Sequence, residues 1–333
     1  MRDRFNESIL NQALKAYQIY ADQIQELDGF ESYIYAFQRK EEEGILRISH
    51  SIRRSPNLIR GELDWINHLH QGGVGVARPL RSVDGEWVQE LDDGAGGFFL
   101  AAAFEKAPGG PHRGPDWPDR LVREYGKQIG RMHQLATTYQ LSDPASKRPE
   151  WDDPINLEIS QYLPPNHEKV NKVYQALIGR IKTLPVDQAG YGLIHQDAHQ
   201  GNFFVSNMGE ITFFDFDGCV YSWFVNDIAL VLFYAVMGQD EPGASIKKFL
   251  TGFLPGYFSE YDLDPKWFRE IPLFMKLREI DLYAVIHRSF DVENLDDPWW
   301  AWYLDGRKDR LDAEIPYLDF NFERFDVQQF TQS

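Results

Sequence analysis

The stretch Gly192-Leu-Ile-His-Gln-Asp-Ala-His-Gln-Gly-Asn-Phe-Phe-Val205, with Ile211-Thr-Phe-Phe-Asp-Phe-Asp217 soon after it, decides how this chain is read. Gly192-Leu-Ile194 is a short apolar run, expected as a strand that delivers His195, Asp197 and Asn202 into a loop. Phe203–Val205 and Ile211–Phe214 read as two further strands joined by the turn Ser206-Asn-Met-Gly209. Asn202 stands just before the first of these strands and Asp215 just after the second, so a hairpin brings them together. An amide oxygen and a carboxylate are hard donors suited to Mg²⁺. Asp197 is placed to accept or orient the proton of an attacking hydroxyl. These are the groups needed to move a phosphoryl group from ATP. The plain alternative is two unrelated acidic turns, but Asp215 follows Asp197 by 18 residues, and the joint spacing favours the chemistry.

On these residues the chain resembles the aminoglycoside phosphotransferase-type kinases, a protein-kinase-like group that also contains choline, homoserine and methylthioribose kinases. The family's catalytic loop, His-x-Asp-x-x-x-x-Asn, matches His195, Asp197 and Asn202, and its metal-binding aspartate matches Asp215. The resemblance implies that His195 braces the loop and that Asp227, in Asp227-Ile-Ala229, stabilises it. Asp217 takes the third position of the metal motif, either near a second Mg²⁺ or, as favoured here, fixing the loop. Gly130-Arg-Met-His133 resembles a family helix and reads most simply as packing. His195 and His199 also form a His-x-x-x-His pattern, but a loop without a nearby cysteine is a poor zinc site.

The resemblance implies an α+β, bilobal, protein-kinase-like fold with a small β-rich N-lobe (1–105) and a larger, mainly helical C-lobe (106–333). The hydropathy pattern has the same layout. Ile9, Leu10, Ala13, Leu14 and Tyr17 mark an opening amphipathic helix. Tyr33–Phe37 and Gly44–Ile48 read as strands around the charged turn Arg39–Glu43, and Ser55-Pro56 as a cap with a first-turn proline. Strands are expected at Ala77–Leu80, Trp87–Glu90 and Phe98–Phe104. Gly72-Gly-Val-Gly75 is a connecting turn, and Lys106-Ala-Pro-Gly-Gly-Pro111 is the clearest linker. Helices follow from Leu121 to Ala136, Val170 to Ile181, Ser245 to Phe253, Lys266 to Ser289 and Pro298 to Ala313.

The 333 residues carry 34 Lys and Arg against 51 Asp and Glu, a formal charge of −17. That balance argues against nucleic acid and anionic membranes as partners. One cysteine, Cys219, rules out an internal disulfide framework and suits a reducing cytoplasm. Met1-Arg-Asp-Arg4 opens without an apolar core, so no signal peptide is expected. The longest apolar run, Ile228–Met237, is too short to span a bilayer.

On the nucleotide side, a kinase fold takes cationic support for the ATP phosphates from a strand residue held by a carboxylate on the next helix. Those positions carry Arg47 and Glu62; Glu62 lies near the apolar face of its helix, where a lone carboxylate is costly. Asp28-Gly-Phe-Glu-Ser32 stands in place of the phosphate-covering loop, with Gly29 and Ser32 as candidate donors. Backbone groups of Glu105 and Ala107 take the position that meets adenine in the family. For the acceptor, Glu279, Asp281 and Asp291 are candidate amine contacts. Trp299, Trp300, Trp302 and Tyr303 form either an aromatic wall or core packing.

The expected activity is Mg²⁺- and ATP-dependent transfer of the γ-phosphoryl group to a hydroxyl of a small molecule: an amino alcohol, a sugar or an aminoglycoside-like compound. Asp227 follows Asp217 by ten positions, which leaves little room for a protein kinase's activation segment. A stress-response-type Ser/Thr protein kinase is the alternative enzyme. A non-catalytic kinase-like scaffold is the alternative outside catalysis.

Overall fold

The computed structural model describes residues 4–29, 31–39, 42–114 and 117–331. Phe30 of the expected phosphate loop and Lys40 and Glu41 of the expected charged turn lie outside the described residues. In chain order the first elements are α1 (Glu7–Ala16), β1 (Ile24–Leu27), β2 (Tyr33–Arg39), β3 (Glu42–His50), α2 (Pro56–Gln71), β4 (Pro79–Leu80), β5 (Gln89–Asp92), β6 (Phe98–Glu105) and β7 (Gly110–Pro111). Next come α3 (Asp119–Ala136), α4 (Glu168–Ile181), β8 (Tyr191–Ile194), β9 (Phe203–Val205), β10 (Ile211–Phe213) and β11 (Val220–Trp223). The chain then continues through α5 (Phe224–Ala235), α6 (Pro242–Phe258), α7 (Ile271–Ser289), α8 (Pro298–Leu304) and α9 (Arg307–Asp312).

Two compact units share this chain. The first comprises Met1–Arg113, Thr138–Arg148 and Gly201–Cys219. The division expected after Glu105 puts the last two segments in the other lobe, whereas their contacts cluster them with the sheet. That sheet is antiparallel, in the order β1-β2-β3-β6-β4, with β5 also paired to β6. Strand alternation sends Leu46 and Ile48 of β3 to one face, where they join Tyr35, Phe37, Phe99 and the Ile9, Ala13 and Leu14 side of α1 in a core. Arg47 points the other way. The Asn6 side chain caps α1 by accepting from the Ile9 amide at 3.2 Å, and Ser55 caps α2 through the Leu58 amide at 3.2 Å. Ile59, Leu63, Ile66 and Leu69 form the buried stripe of α2. The expected hairpin is β9 and β10, Phe203 opposite Phe213. The end of the expected linker departs from loop: Gly110 and Pro111 add β7 to the edge of β9.

The second unit comprises Gly114–Thr137, Pro149–Gln200 and Val220–Ser333. Its one ribbon pairs β8 with β11, Ile194 opposite Val220, so the strand expected at Gly192–Ile194 has a partner that the sequence reading did not assign. Helix α3 crosses α6 at very short range: a Cβ on Gly126 would collide with the Phe253 carbonyl, and one on Gly256 with the Arg123 carbonyl. Helix α5 is buried almost all round, as its unbroken apolar run requires. The single helix expected over Pro298–Ala313 is two, because Gly306 takes a left-handed conformation (φ 61°) between α8 and α9. The helix expected from Lys266 begins as a tight turn and becomes α-helical only at Ile271. Among the described residues no helix is long and apolar enough to cross a membrane.

Candidate active site

In the first unit, Arg47 reaches Glu62 through two parallel hydrogen bonds, Nη1 to Oε1 at 2.8 Å and Nη2 to Oε2 at 2.6 Å. The side chains are only 8% and 1% exposed. Burial disfavours the guanidinium's charge, but Glu62 first, then Asp217 and Asp215, outweigh it and keep Arg47 charged. Arg47 Nε is buried without a hydrogen-bond partner. The strand-to-helix pair read from sequence is therefore formed.

The hairpin places Asn202 and Asp215 at its open end. The Phe214 amide donates to the Asn202 carbonyl at 3.0 Å, and the edge-to-face rings of Phe203 and Phe213 fill the ribbon beneath. Asp215 leaves β10 with φ 62°, a left-handed conformation that a non-glycine residue holds only when its surroundings enforce it. Two arginines hold the residues that follow it. Arg54, just ahead of α2, grips the Asp217 carboxylate with Nε (2.9 Å) and Nη2 (2.8 Å). Arg148 donates to the carbonyls of Cys219 (2.9 Å), Leu58 (2.8 Å) and Asp217 (2.6 Å), tying the loop after β10 to α2. Burial opposes ionisation of Asp217, yet Arg54 and then Arg47 hold it well below the usual carboxylate range. Burial pushes the Cys219 thiol up to about 12, so this cysteine is an inert core group.

Ser32 shares a hydrogen bond with Ser49 (Oγ to Oγ, 3.0 Å), and a side chain on Gly29 would run into the Ser32 carbonyl. The loop between β1 and β2 thus folds tightly on itself. Glu105 closes β6, its carboxylate taken by Arg78 and its amide donating to the Arg78 carbonyl at 2.8 Å; Ala107 beyond it is buried.

In the second unit, the loop after β8 is held by Asp227 at the first turn of α5. Its two carboxylate oxygens accept from the backbone amides of His195 (3.0 Å) and Gln196 (2.7 Å). Gln196 adopts φ 69° and its side chain accepts from Asn226 at 2.9 Å. His133 stands 3.4 Å from Asp227 and 2.8 Å from the Tyr257 hydroxyl, so the residue read as packing also carries a polar brace. His195 is buried and its Nδ1 accepts from the Asp197 amide at 3.3 Å. Burial holds its pKa below the ordinary imidazole value, leaving it neutral.

The Asp197 carboxylate faces two side chains: Arg278 Nη2 lies 2.6 Å from Oδ1 and His199 Nε2 lies 3.5 Å from Oδ2. Burial favours the acid, but Arg278 and then His199 hold Asp197 ionised, far below the usual range. No sequence motif marked Arg278, Arg54 or Arg148. The available signal was of another kind, charged residues within or beside segments whose neighbours are buried.

The acceptor candidates scatter. Glu279 is fully buried and bound by Lys276 and Arg307 (2.7 Å), so its expected contact with a substrate amine gives way to an internal ion cluster that neutralises a carboxylate inside the helices. Asp281 has one buried oxygen without a hydrogen-bond partner. Asp291 is exposed and caps a turn. Tyr303 is core, with its hydroxyl on the Glu279 carbonyl, whereas Trp299 and Trp302 are 37% and 48% exposed.

Comparison with known proteins agrees with this geometry. The family model described as phosphotransferase enzyme family matches residues 23–271. Amicoumacin kinase of Bacillus subtilis (strain 168) is 39% identical over 320 residues, 95% of each chain. The solved structure of the amicoumacin kinase hAmiN, in complex with AMP-PNP, Ca²⁺ and Ami, superimposes with a TM-score of 0.91 at 35% identity, covering 97% of this chain and 98% of that one. A microcompartment-associated aminopropanol kinase shares the fold at 19% identity, with a TM-score of 0.73 over 98% of this chain and 99% of that one. The chain belongs to the phosphotransferase enzyme family, and its activity is ATP-dependent phosphoryl transfer to a small molecule.

Proposed function

We propose that this enzyme phosphorylates a hydroxyl group of amicoumacin or of a closely related compound, by direct in-line transfer from ATP. Support for the acceptor comes from the 39% identity to amicoumacin kinase along 95% of both chains. The observation that carries the chemistry is the ionised Asp197 on a loop whose backbone is pinned by Asp227. Asp197 receives the hydrogen bond of the acceptor hydroxyl and aligns its oxygen with the γ-phosphorus. Arg47 holds charge beside the phosphates, and its unpartnered Nε is the donor left for a phosphate oxygen. Glu105 and Ala107 offer backbone groups to adenine, and the loop of Gly29 and Ser32 covers the phosphates.

Asn202 and Asp215 suit Mg²⁺ by chemistry, both being oxygen donors at one end of a rigid hairpin. A bound ion would supply charge neutralisation for the ATP phosphates. Arg54 and Arg148 keep the Asp215 loop in register with α2, so the two protein ligands are preset.

ADP release from Mg·ATP, measured against amicoumacin and panels of amino alcohols, sugars and aminoglycosides, tests the assignment. Asp197→Asn should reduce amicoumacin-dependent turnover by about 10³-fold or more. Turnover confined to another panel would replace the acceptor. Full turnover in Asp197→Asn would remove Asp197 from the mechanism.

A further inference from the structure

Arg278 sits directly on the carboxylate assigned to the acceptor, and its own position is fixed from behind. Its Nε donates to the Tyr234 hydroxyl at 3.0 Å, and the guanidinium carbon lies 5.3 Å from the centre of the Tyr234 ring. The same ring backs His199, with 4.4 Å between ring centroids. Tyr234 therefore supports both side chains that address Asp197, one on each carboxylate oxygen. One turn further along α7, Asp281 acts electrostatically on Arg278, and its buried Oδ1 is without a hydrogen-bond partner. Arg278 is 20% exposed and Asp197 31%, so the pair is open to a ligand.

A carboxylate in this setting is a weak base. It can fix the line of attack by accepting a hydrogen bond, which is what a loose phosphoryl-transfer transition state asks of it. The proton then passes from the hydroxyl to the Asp197 carboxylate late, as the new P–O bond forms and the bond to ADP breaks. Left unclamped, an aspartate side chain has several rotamers, and a 1 Å displacement of a reacting group costs on the order of 100-fold in rate.

We propose that Arg278, held by Tyr234, is a positioning residue for phosphoryl transfer: it locks the Asp197 rotamer so that one carboxylate oxygen meets the acceptor hydroxyl. The proposal rests on the assignment of Asp197 above. The titratable groups that act on Asp197 are Arg278, His199 and His195, while Asp281 opposes the loss of charge on Arg278.

The test compares wild type, Arg278→Ala, Arg278→Lys, Tyr234→Phe and Asp197→Asn with Mg·ATP and amicoumacin over pH 5–9. In parallel, ¹³C NMR of aspartate-labelled protein follows the Asp197 carboxyl, identified by its loss in Asp197→Asn, and needs no acceptor. Arg278→Ala should lower kcat about 100-fold with KM for ATP unchanged. Its Asp197 resonance should titrate at higher pH, because burial then acts with less opposition. Arg278→Lys should recover part of the rate, since it returns the charge without the fork, and Tyr234→Phe should show a smaller loss in the same direction. Wild-type kcat and wild-type titration in Arg278→Ala would overturn the proposal. So would a rate loss with no change in titration and no recovery in Arg278→Lys, the pattern of a purely structural residue. An inactive Asp197→Asn beside an unaffected Arg278→Ala would sink this inference alone. An active Asp197→Asn would sink it together with the mechanism it rests on.

Discussion

Each unit carries an arginine–carboxylate pair, and the two pairs are built for different ends. Arg47–Glu62 is bidentate and nearly sealed, at 8% and 1% side-chain exposure. Arg278–Asp197 is a single close contact, at 20% and 31%. In the sealed pair each partner offsets much of the other's desolvation, so the contact is a fixed part of the fold. In the open pair water shares the charges, so the contact adds little to stability. The lesson is that exposure, more than distance, separates the two pairs.

The sharpest way to break this distinction is to remove one carboxylate from each pair. Glu62→Ala strands a buried guanidinium and should cost about 3–5 kcal/mol of stability, read from urea unfolding. Asp197→Ala should cost less than about 1 kcal/mol while removing turnover. Similar losses in the two variants would erase the contrast. A smaller effect is expected from Arg47→Lys, which keeps the charge but loses one of two charged hydrogen bonds, about 1.5–3 kcal/mol; an unchanged urea midpoint would show that the fork adds nothing.

The mildest prediction concerns Asp281, beside the open pair. Burial pushes its carboxyl up to about 7, with Arg278 acting against the shift. Its unfolded value is near the ordinary ~3.9, so the unfolded chain ionises first. Stability from this group is therefore full below about pH 4, falls as pH rises toward 7 and is level above that. Asp281→Asn removes the dependence and should raise Tm by about 2–4 °C at pH 8 with no gain at pH 4. A gain that is equal at both pH values would deny the shifted ionisation.

The sealed pair was legible because two short periods intersect at it. Strand alternation puts Arg47 opposite in sense to Leu46 and Ile48, and helix periodicity puts Glu62 beside Ile59, Leu63 and Ile66. The proximity of Asn202 to Asp215 was legible for a similar reason, since β9, a turn and β10 occupy consecutive residues. Arg278 was not. Helix α7 buries Phe274, Met275, Leu277, Ile280, Leu282 and Tyr283, so it lacks a clean polar face from which periodicity could assign its charges. The same helix defeated the reading of Glu279, whose partner Arg307 arrives from α9, 28 residues later. Trp299 and Tyr303 lie on one face of α8 yet differ in burial, because only Tyr303 reaches the core.

By itself, the sequence determined most of the strands and helices, the motif that carries Asp197, Asn202 and Asp215, and the strand-to-helix partnership of Arg47 with Glu62. These depend on spacing within one element or across one turn, where backbone geometry leaves little choice. The tertiary structure alone decided which side chains hold the two loops: Arg278, with Tyr234 behind it, at Asp197, and Arg54 and Arg148 at the loop after β10. Those contacts join residues 44 to 163 positions apart. No local period constrains such distances; they are set by how helices pack, and by the high cost of leaving any buried charge without a partner.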